Sequence, residues 1–221
     1  MFNNTSVLLL SFRYSKNLVI ILFIHQLNNR DQDNNDVNIM IIAINFVNTK
    51  VRYRFMKADN INLATIIHTG EGEYDGLLRD FVEELKADGV NVQGLLTKHY
   101  KNPMIIYDIS SNQEIVISQA LGKNSTSCCL DLGKLAGAAF VLRKALEEKP
   151  DLVIINRFGT AEAEGGGFIE ELQALIGEDI PVLTLTADKY LGAWQTFTGG
   201  LAEEVAPNKE ALHAWFNKVR G

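Results

Sequence analysis

Residues 151–159 read Asp-Leu-Val-Ile-Ile-Asn-Arg-Phe-Gly, and they give the clearest indication of the fold class. Four consecutive apolar residues, Leu152–Ile155, are typical of a strand that is covered on both faces. The polar pair Asn156–Arg157 follows directly, and in open α/β sheets ligands bind beyond the carboxyl ends of the strands. We therefore predict a central strand of a parallel sheet with a candidate site at its end.

Strand-like and helix-like segments alternate through the rest of the chain after residue 60. Apolar runs at 61–67, 90–96 and 181–186 predict strands, and apolar residues at helical spacing predict helices between them. Asp131 is predicted to cap one of these helices, and Pro207 is predicted to open the last one. Strands separated by helices favour a parallel sheet with helices on both faces. Residues 103–108 and 114–118 are predicted as an antiparallel pair. The predicted fold class is α/β, a three-layer, mainly parallel sheet with a local antiparallel strand pair.

Residues 1–55 differ in composition from the rest of the chain. They contain no Gly or Pro, whereas all 17 Gly and all four Pro follow Met56. Their formal charge is +3 (six basic and three acidic residues), against −9 for the remainder (15 and 24). A folded segment of this length would lack the usual turn residues. We predict one α/β domain over 56–221, preceded by a segment 1–55 that is disordered or mis-assigned; a membrane-attachment or targeting segment is the remaining alternative.

The overall composition excludes several classes of function. The 221 residues carry a net charge of −6, and this acidity argues against sequence-independent nucleic-acid binding. No apolar run reaches the roughly 20 residues that span a bilayer, so residues 56–221 are expected to be cytoplasmic and to have no membrane partner. Cys128 and Cys129 are adjacent without a nearby Cys or His ligand set, which favours reduced thiols over a zinc site. No metal site is predicted, and the cofactor and protein partner remain open.

The first candidate site is the turn at 68–76, His-Thr-Gly-Glu-Gly-Glu-Tyr-Asp-Gly. A glycine-containing turn from a strand into a helix lets backbone N–H groups point at an anion, and Thr69, Gly70 and Gly72 are the predicted contacts. The turn lacks the Lys and Ser/Thr of a phosphate-binding P-loop. The alternative is that its three acidic residues are present because carboxylates favour a helix N-terminus.

The second candidate site is formed by Asn156, Arg157 and Gly159 after the buried strand. Arg binds phosphate or carboxylate groups, often through two parallel hydrogen bonds. The alternative is that Arg157 anchors its own loop by pairing with Glu162 or Glu164. A third segment, 184–190, is predicted mainly as the start of a helix at its Asp188.

At Pro150–Gly159, Glu162–Gly165 and Pro181–Thr184 the chain resembles an uncharacterised bacterial domain family of unknown function. Members of that family sometimes occur beside molybdenum-transport or nitrogenase genes. The order of elements is also similar to that of the small P-loop nucleoside-triphosphatases. This resemblance implies a crevice for a nucleotide or another anion. The chain departs from that pattern because Asn156 stands where those enzymes place a metal-holding acid.

Together these features predict a P-loop-like protein with a degenerate, non-hydrolysing site that binds a small anionic ligand, a nucleotide or an oxyanion. Its role would be accessory or regulatory, and the resemblance to the domain family implies a link to molybdenum metabolism. One alternative is an active nucleoside-triphosphatase or kinase that uses Glu71, Glu73 or Glu162 as metal ligand. Another is a protein-interaction module in which the crevice has no ligand.

Overall fold

The computed structural model of the chain describes residues 5–14, 17–27, 37–47, 50–57, 62–70, 73–99, 103–119 and 129–220. Within these residues, the backbone of the N-terminal region forms a four-stranded antiparallel sheet in the order β1-β2-β3-β4. The strands are β1 (Thr5–Tyr14), β2 (Asn17–Leu27), β3 (Val37–Val47) and β4 (Lys50–Lys57). The statement that segment 1–55 is disordered or mis-assigned stays a prediction.

A second sheet has the order β11-β5-β10-β9-β6-β7-β8 among the described residues. The first five of these strands pair in parallel, and β7 and β8 add an antiparallel edge. The predicted fold class is thus confirmed. The strands are β5 (Leu63–His68), β6 (Val92–His99), β7 (Ile105–Asp108), β8 (Glu114–Val116), β9 (Leu152–Phe158), β10 (Val182–Ala187) and β11 (Glu203–Glu204).

Six helices are described around this sheet, and the longer ones cover its two faces. They are α1 (Glu73–Ala87), α2 (Leu132–Glu148), α3 (Thr160–Ala163), α4 (Ile169–Gly177), α5 (Leu191–Thr198) and α6 (Lys209–Arg220). A 3-10 turn, Asp188–Tyr190, joins β10 to α5. No helix within the described residues combines the length and apolar character needed to cross a membrane.

The alternation of side chains along β9 explains why the sheet has a core on each face. Leu152 and Ile154 pack in one cluster with apolar residues of α1 and α6. Val153 and Ile155 pack in the other with α2, α4 and Trp194 of α5. All four strand residues are fully buried, as the uninterrupted apolar run predicted.

Two boundaries show where local signals succeeded and failed. The carboxylate of Asp131 accepts hydrogen bonds from Gly133 and Lys134, so the predicted cap of α2 is confirmed. The last helix begins at Lys209, two residues after the predicted start at Pro207, and the Asn208 side chain accepts from the backbone N–H of Ala211. Asparagine at that position satisfies one of the free N–H groups of the first turn.

Candidate functional site

A cleft of about 720 Å³ opens where β5, β9 and β10 end. Its lining includes His68 at the end of β5, Asn156–Phe158 at the end of β9 and Ala187 at the end of β10. Because these strands are parallel, their carboxyl ends lie at one edge of the sheet. The cleft therefore occupies the position where open α/β sheets bind ligands.

Five of the six predicted ligand-binding residues line this one cleft: Thr69, Gly70, Asn156, Arg157 and Gly159. The sixth, Gly72, lies outside the described residues. The structure thus brings the turn after β5 and the polar pair of β9 together across the intervening strand β10. Their binding of a ligand remains a prediction.

His68 lines the cleft and is buried, with 3% of its surface exposed. Its Nδ1 lies 2.5 Å from the carbonyl oxygen of Gly70, and because a carbonyl only accepts, Nδ1 donates. Burial lowers the pKa of His68 below its ordinary value, and the nearby Arg157 charge lowers it too. The neutral ring therefore carries its free lone pair on Nε2, which is buried and receives no hydrogen bond from the described residues.

Asn156 is a strand residue rather than the start of the loop, because β9 continues to Phe158. Its side chain is 4% exposed and its Nδ2 donates to Asp75 Oδ1 at 2.7 Å. The Thr97 hydroxyl donates to the backbone carbonyl oxygen of Asn156 at 3.3 Å. Among the described residues, no donor reaches the buried Asn156 Oδ1. Asn156 therefore ties β9 to the start of α1 and presents one buried acceptor.

Arg157 supplies positive charge beside these groups. It is half-buried and lies close enough to influence the pKa values of both His68 and Asp75. Burial raises the pKa of Asp75, while the hydrogen bond from Asn156 and the Arg157 charge oppose that rise.

The 3-10 turn after β10 adds charges to the same end of the cleft. Asp188 and Lys189 are exposed there, and Lys189 Nζ lies 4.9 Å from the centre of the Tyr190 ring. The helical start at Asp188 is as predicted. We call Arg157, Asp188 and Lys189 the charged end of the cleft.

Glu162 holds the loop that follows β9. One carboxylate oxygen accepts from the backbone N–H of Gly159 at 2.9 Å, and the other accepts from that of Phe168 at 3.1 Å. Burial raises the pKa of Glu162, and these two hydrogen bonds oppose the rise. Both oxygens of Glu162 thus accept from the backbone and hold the loop, and its use as a metal ligand stays a prediction. The side chains of Glu71 and Glu73 lie outside the described residues.

The opposite part of the cleft is apolar, and sequence motifs gave no indication of it. These residues come from the β7–β8 hairpin, the segment before α2 and α2 itself, and we call them the apolar half: Met104, Ile106, Ile117, Leu130, Leu132 and Leu135. Ile106, Ile117 and Leu135 are buried, whereas Leu132 is 62% exposed. These segments are separate in sequence, and the fold brings them together near the carboxyl end of β9.

The described ranges contain no cluster of metal-ligating side chains. There, no group of three or more His, Cys, Asp or Glu residues is arranged to hold a metal ion. Cys129 is a free thiol, and Cys128 lies outside the described residues.

Two comparisons with known proteins bear on the fold and the relatives of this chain. A human cancer-related nucleoside triphosphatase has a TM-score of 0.51 and 18% identity, over 71% of this chain and 95% of that one. At that identity the likeness concerns the fold. A protein of Bradyrhizobium diazoefficiens, "Molybdenum import ATP-binding protein ModC 2", is 32% identical over 168 residues. The match covers 73% of this chain but only 19% of the relative, so the chain spans about a fifth of that protein's length.

A family model matches most of the α/β domain. It covers residues 63–215, from the start of β5 to within α6, and so includes every described residue of the cleft. This match is consistent with the expected resemblance to an uncharacterised domain family. The chain belongs to the family described as "Protein of unknown function (DUF2478)".

Proposed function

We propose that this chain binds a small anionic ligand, a nucleotide or an oxyanion, in the cleft at the carboxyl edge of its parallel sheet. The observation that carries the proposal is the convergence of Arg157 with the turn Thr69–Gly70 on one cleft. A guanidinium group recognises phosphate and carboxylate oxygens through charge-assisted hydrogen bonds. Lys189 lines the same cleft and adds a second cation.

The ligand is held rather than hydrolysed in the ordinary manner of P-loop enzymes. The turn 68–76 contains no Lys, and its Ser/Thr-type hydroxyl, that of Thr69, lies before Gly70 and Gly72 rather than after them. Asn156 is uncharged and its amide is engaged by Asp75, so this position lacks a carboxylate for Mg²⁺. Without these groups the charge that develops during phosphoryl transfer has few stabilisers.

The role of the domain is accessory or regulatory, in the cytoplasm and beside molybdenum uptake. Support for this part comes from the matched relative, whose name describes an ATP-binding protein of molybdenum import. The similarity covers a minor part of that relative, which is consistent with a domain that works alongside another activity.

The test is isothermal titration of the full chain with inorganic phosphate, molybdate, adenosine monophosphate and ATP. Arg157→Ala is expected to weaken binding of the anions by about tenfold or more, since charge-assisted hydrogen bonds contribute roughly 1.5–3 kcal/mol. Arg220→Ala is the matched control, because it removes the same charge from an exposed site on α6 outside the cleft. Absence of anion binding, or unchanged affinity in Arg157→Ala, would contradict the proposal.

A further inference from the structure

The cleft is larger and more apolar than a bare inorganic anion requires. Its volume of about 720 Å³ falls within the roughly 300–1,000 Å³ typical of sites for organic ligands. The charged end forms only part of the cleft lining, and the six residues of the apolar half form another part. An oxyanion at the charged end would leave the accessible part of the apolar half in water, namely Leu132 and the partly exposed Met104 and Leu130. An uncharged ring packed there would remove that apolar surface from water, which is favourable.

The buried acceptors of the cleft point to a second requirement. His68 Nε2 and Asn156 Oδ1 each carry a lone pair, and neither receives a hydrogen bond from the described residues. A buried acceptor that lacks a donor is costly, so each favours a ligand that carries O–H or N–H groups. A fully deprotonated oxyanion offers only further acceptors. These two residues therefore favour an anion that also carries donors.

Resting on the proposed function, we propose that the ligand is an organic anion with three parts. Its anionic group binds Arg157 at the charged end. Its hydroxyl or amide groups lie toward His68 and Asn156. Its uncharged ring packs against the apolar half, with Leu132 at the mouth. His68, Asn156 and Leu132 are thus residues that set ligand specificity.

A ligand series on the full chain separates the apolar contribution from that of the charge. Inorganic phosphate, phenyl phosphate and adenosine monophosphate share the phosphate group but differ in the attached ring and hydroxyl groups. Phenyl phosphate is expected to bind about tenfold more tightly than phosphate, because its ring buries apolar surface. Adenosine monophosphate, which adds donors, is expected to bind more tightly still, and molybdate no more tightly than phosphate.

Leu132→Ser tests the site of the ring without disturbing the core, because this side chain is 62% exposed. The variant is expected to bind phenyl phosphate about fivefold more weakly, a larger loss than for inorganic phosphate, which has no ring to pack there. Phe140→Ser is the matched control, since Phe140 lies on the same helix, is 51% exposed and does not line the cleft. It should change neither affinity.

His68→Asn tests the role of the acceptor. It is expected to reduce the preference for adenosine monophosphate over phenyl phosphate, while the preference of phenyl phosphate over phosphate persists. Circular dichroism of the variant confirms that it is folded.

The outcomes distinguish this inference from the proposed function. If phosphate or molybdate binds in an Arg157-dependent manner and the ring adds nothing, the organic-anion inference is overturned and anion binding stands. If phenyl phosphate binds more tightly but Leu132→Ser leaves its affinity unchanged, the placement of the ring is wrong. If no anion in the series binds, both proposals fail.

Discussion

The side-chain amide of Asn156 donates a 2.7 Å hydrogen bond to Oδ1 of Asp75, which joins the end of β9 to the first turn of α1. The two residues are 81 positions apart in sequence. Burial raises the pKa of Asp75, and the amide opposes that rise because it stabilises the carboxylate. The contact thus stabilises the negative charge of Asp75 and fixes the position of its side chain beside the cleft.

Replacing this amide by a carboxylate should make stability depend on pH. In Asn156→Asp the two carboxyl groups would share one proton at low pH, and their pKa would rise above that of the unfolded chain. Stability is then present below the unfolded pKa and lost as pH rises through the folded pKa. We expect the urea midpoint of the variant to fall, relative to the wild-type protein, between pH 5 and about 7. Asn217→Asp makes the same change at an exposed site on α6 and should show no such trend.

The lowered pKa of His68 predicts that folding stability changes with pH in the opposite direction. Its pKa in the folded protein is lowered, mainly by burial, from the ordinary value of 6.5. Below about pH 6.5 the unfolded chain takes up a proton that the folded protein resists, so this residue's contribution is lost as pH falls. Arg157 adds to the lowering, whereas Asp75 and Asp188 oppose it. The stability advantage of wild type over His68→Asn should therefore shrink between pH 7.5 and about 5.5 in urea titrations. A difference that is constant with pH would contradict the neutral ring.

Glu162 should be needed for the loop between β9 and α4. In Glu162→Gln an amide replaces a carboxylate that accepts from the N–H groups of both Gly159 and Phe168. Because the amide has only one acceptor oxygen, one buried N–H loses its partner, at a cost of about 1–3 kcal/mol. Denaturant unfolding measures this cost. Glu170→Gln, at an exposed position of α4, should stay within about 0.5 kcal/mol of wild type.

Gly167 should tolerate a side chain less well than Gly165 in the same loop. Both have positive φ, 58° and 82° respectively, so alanine at either is strained by about 1–2 kcal/mol. A Cβ at Gly167 would lie 1.9 Å from Glu162 Oε1, whereas at Gly165 no atom lies within 4 Å. Gly167→Ala should therefore lose more unfolding free energy than Gly165→Ala. Equal losses would show that Glu162 yields without cost.

Several parts of the fold could be predicted because their signals are local. The apolar run of β9 identified a strand buried on both faces, and Asp131 identified the start of α2. The alternation of strands and helices indicated the parallel sheet. The end of β9 was less predictable, because polar Asn156 and Arg157 continue the strand instead of leaving it. Polarity marks an end only where a strand meets water, and the Asn156 side chain is buried with Asp75 as its partner.

The class of fold and the polar residues at the carboxyl ends of the strands follow from local patterns along the chain, because alternating strands and helices specify a parallel sheet whose strands end at one edge. The partners of these polar residues are set by the packing of the whole chain. It paired Asn156 with Asp75, turned Glu162 toward backbone N–H groups and assembled the apolar half from separate segments. Contacts between residues far apart in sequence depend on how the helices pack over the sheet, and no local pattern records that packing.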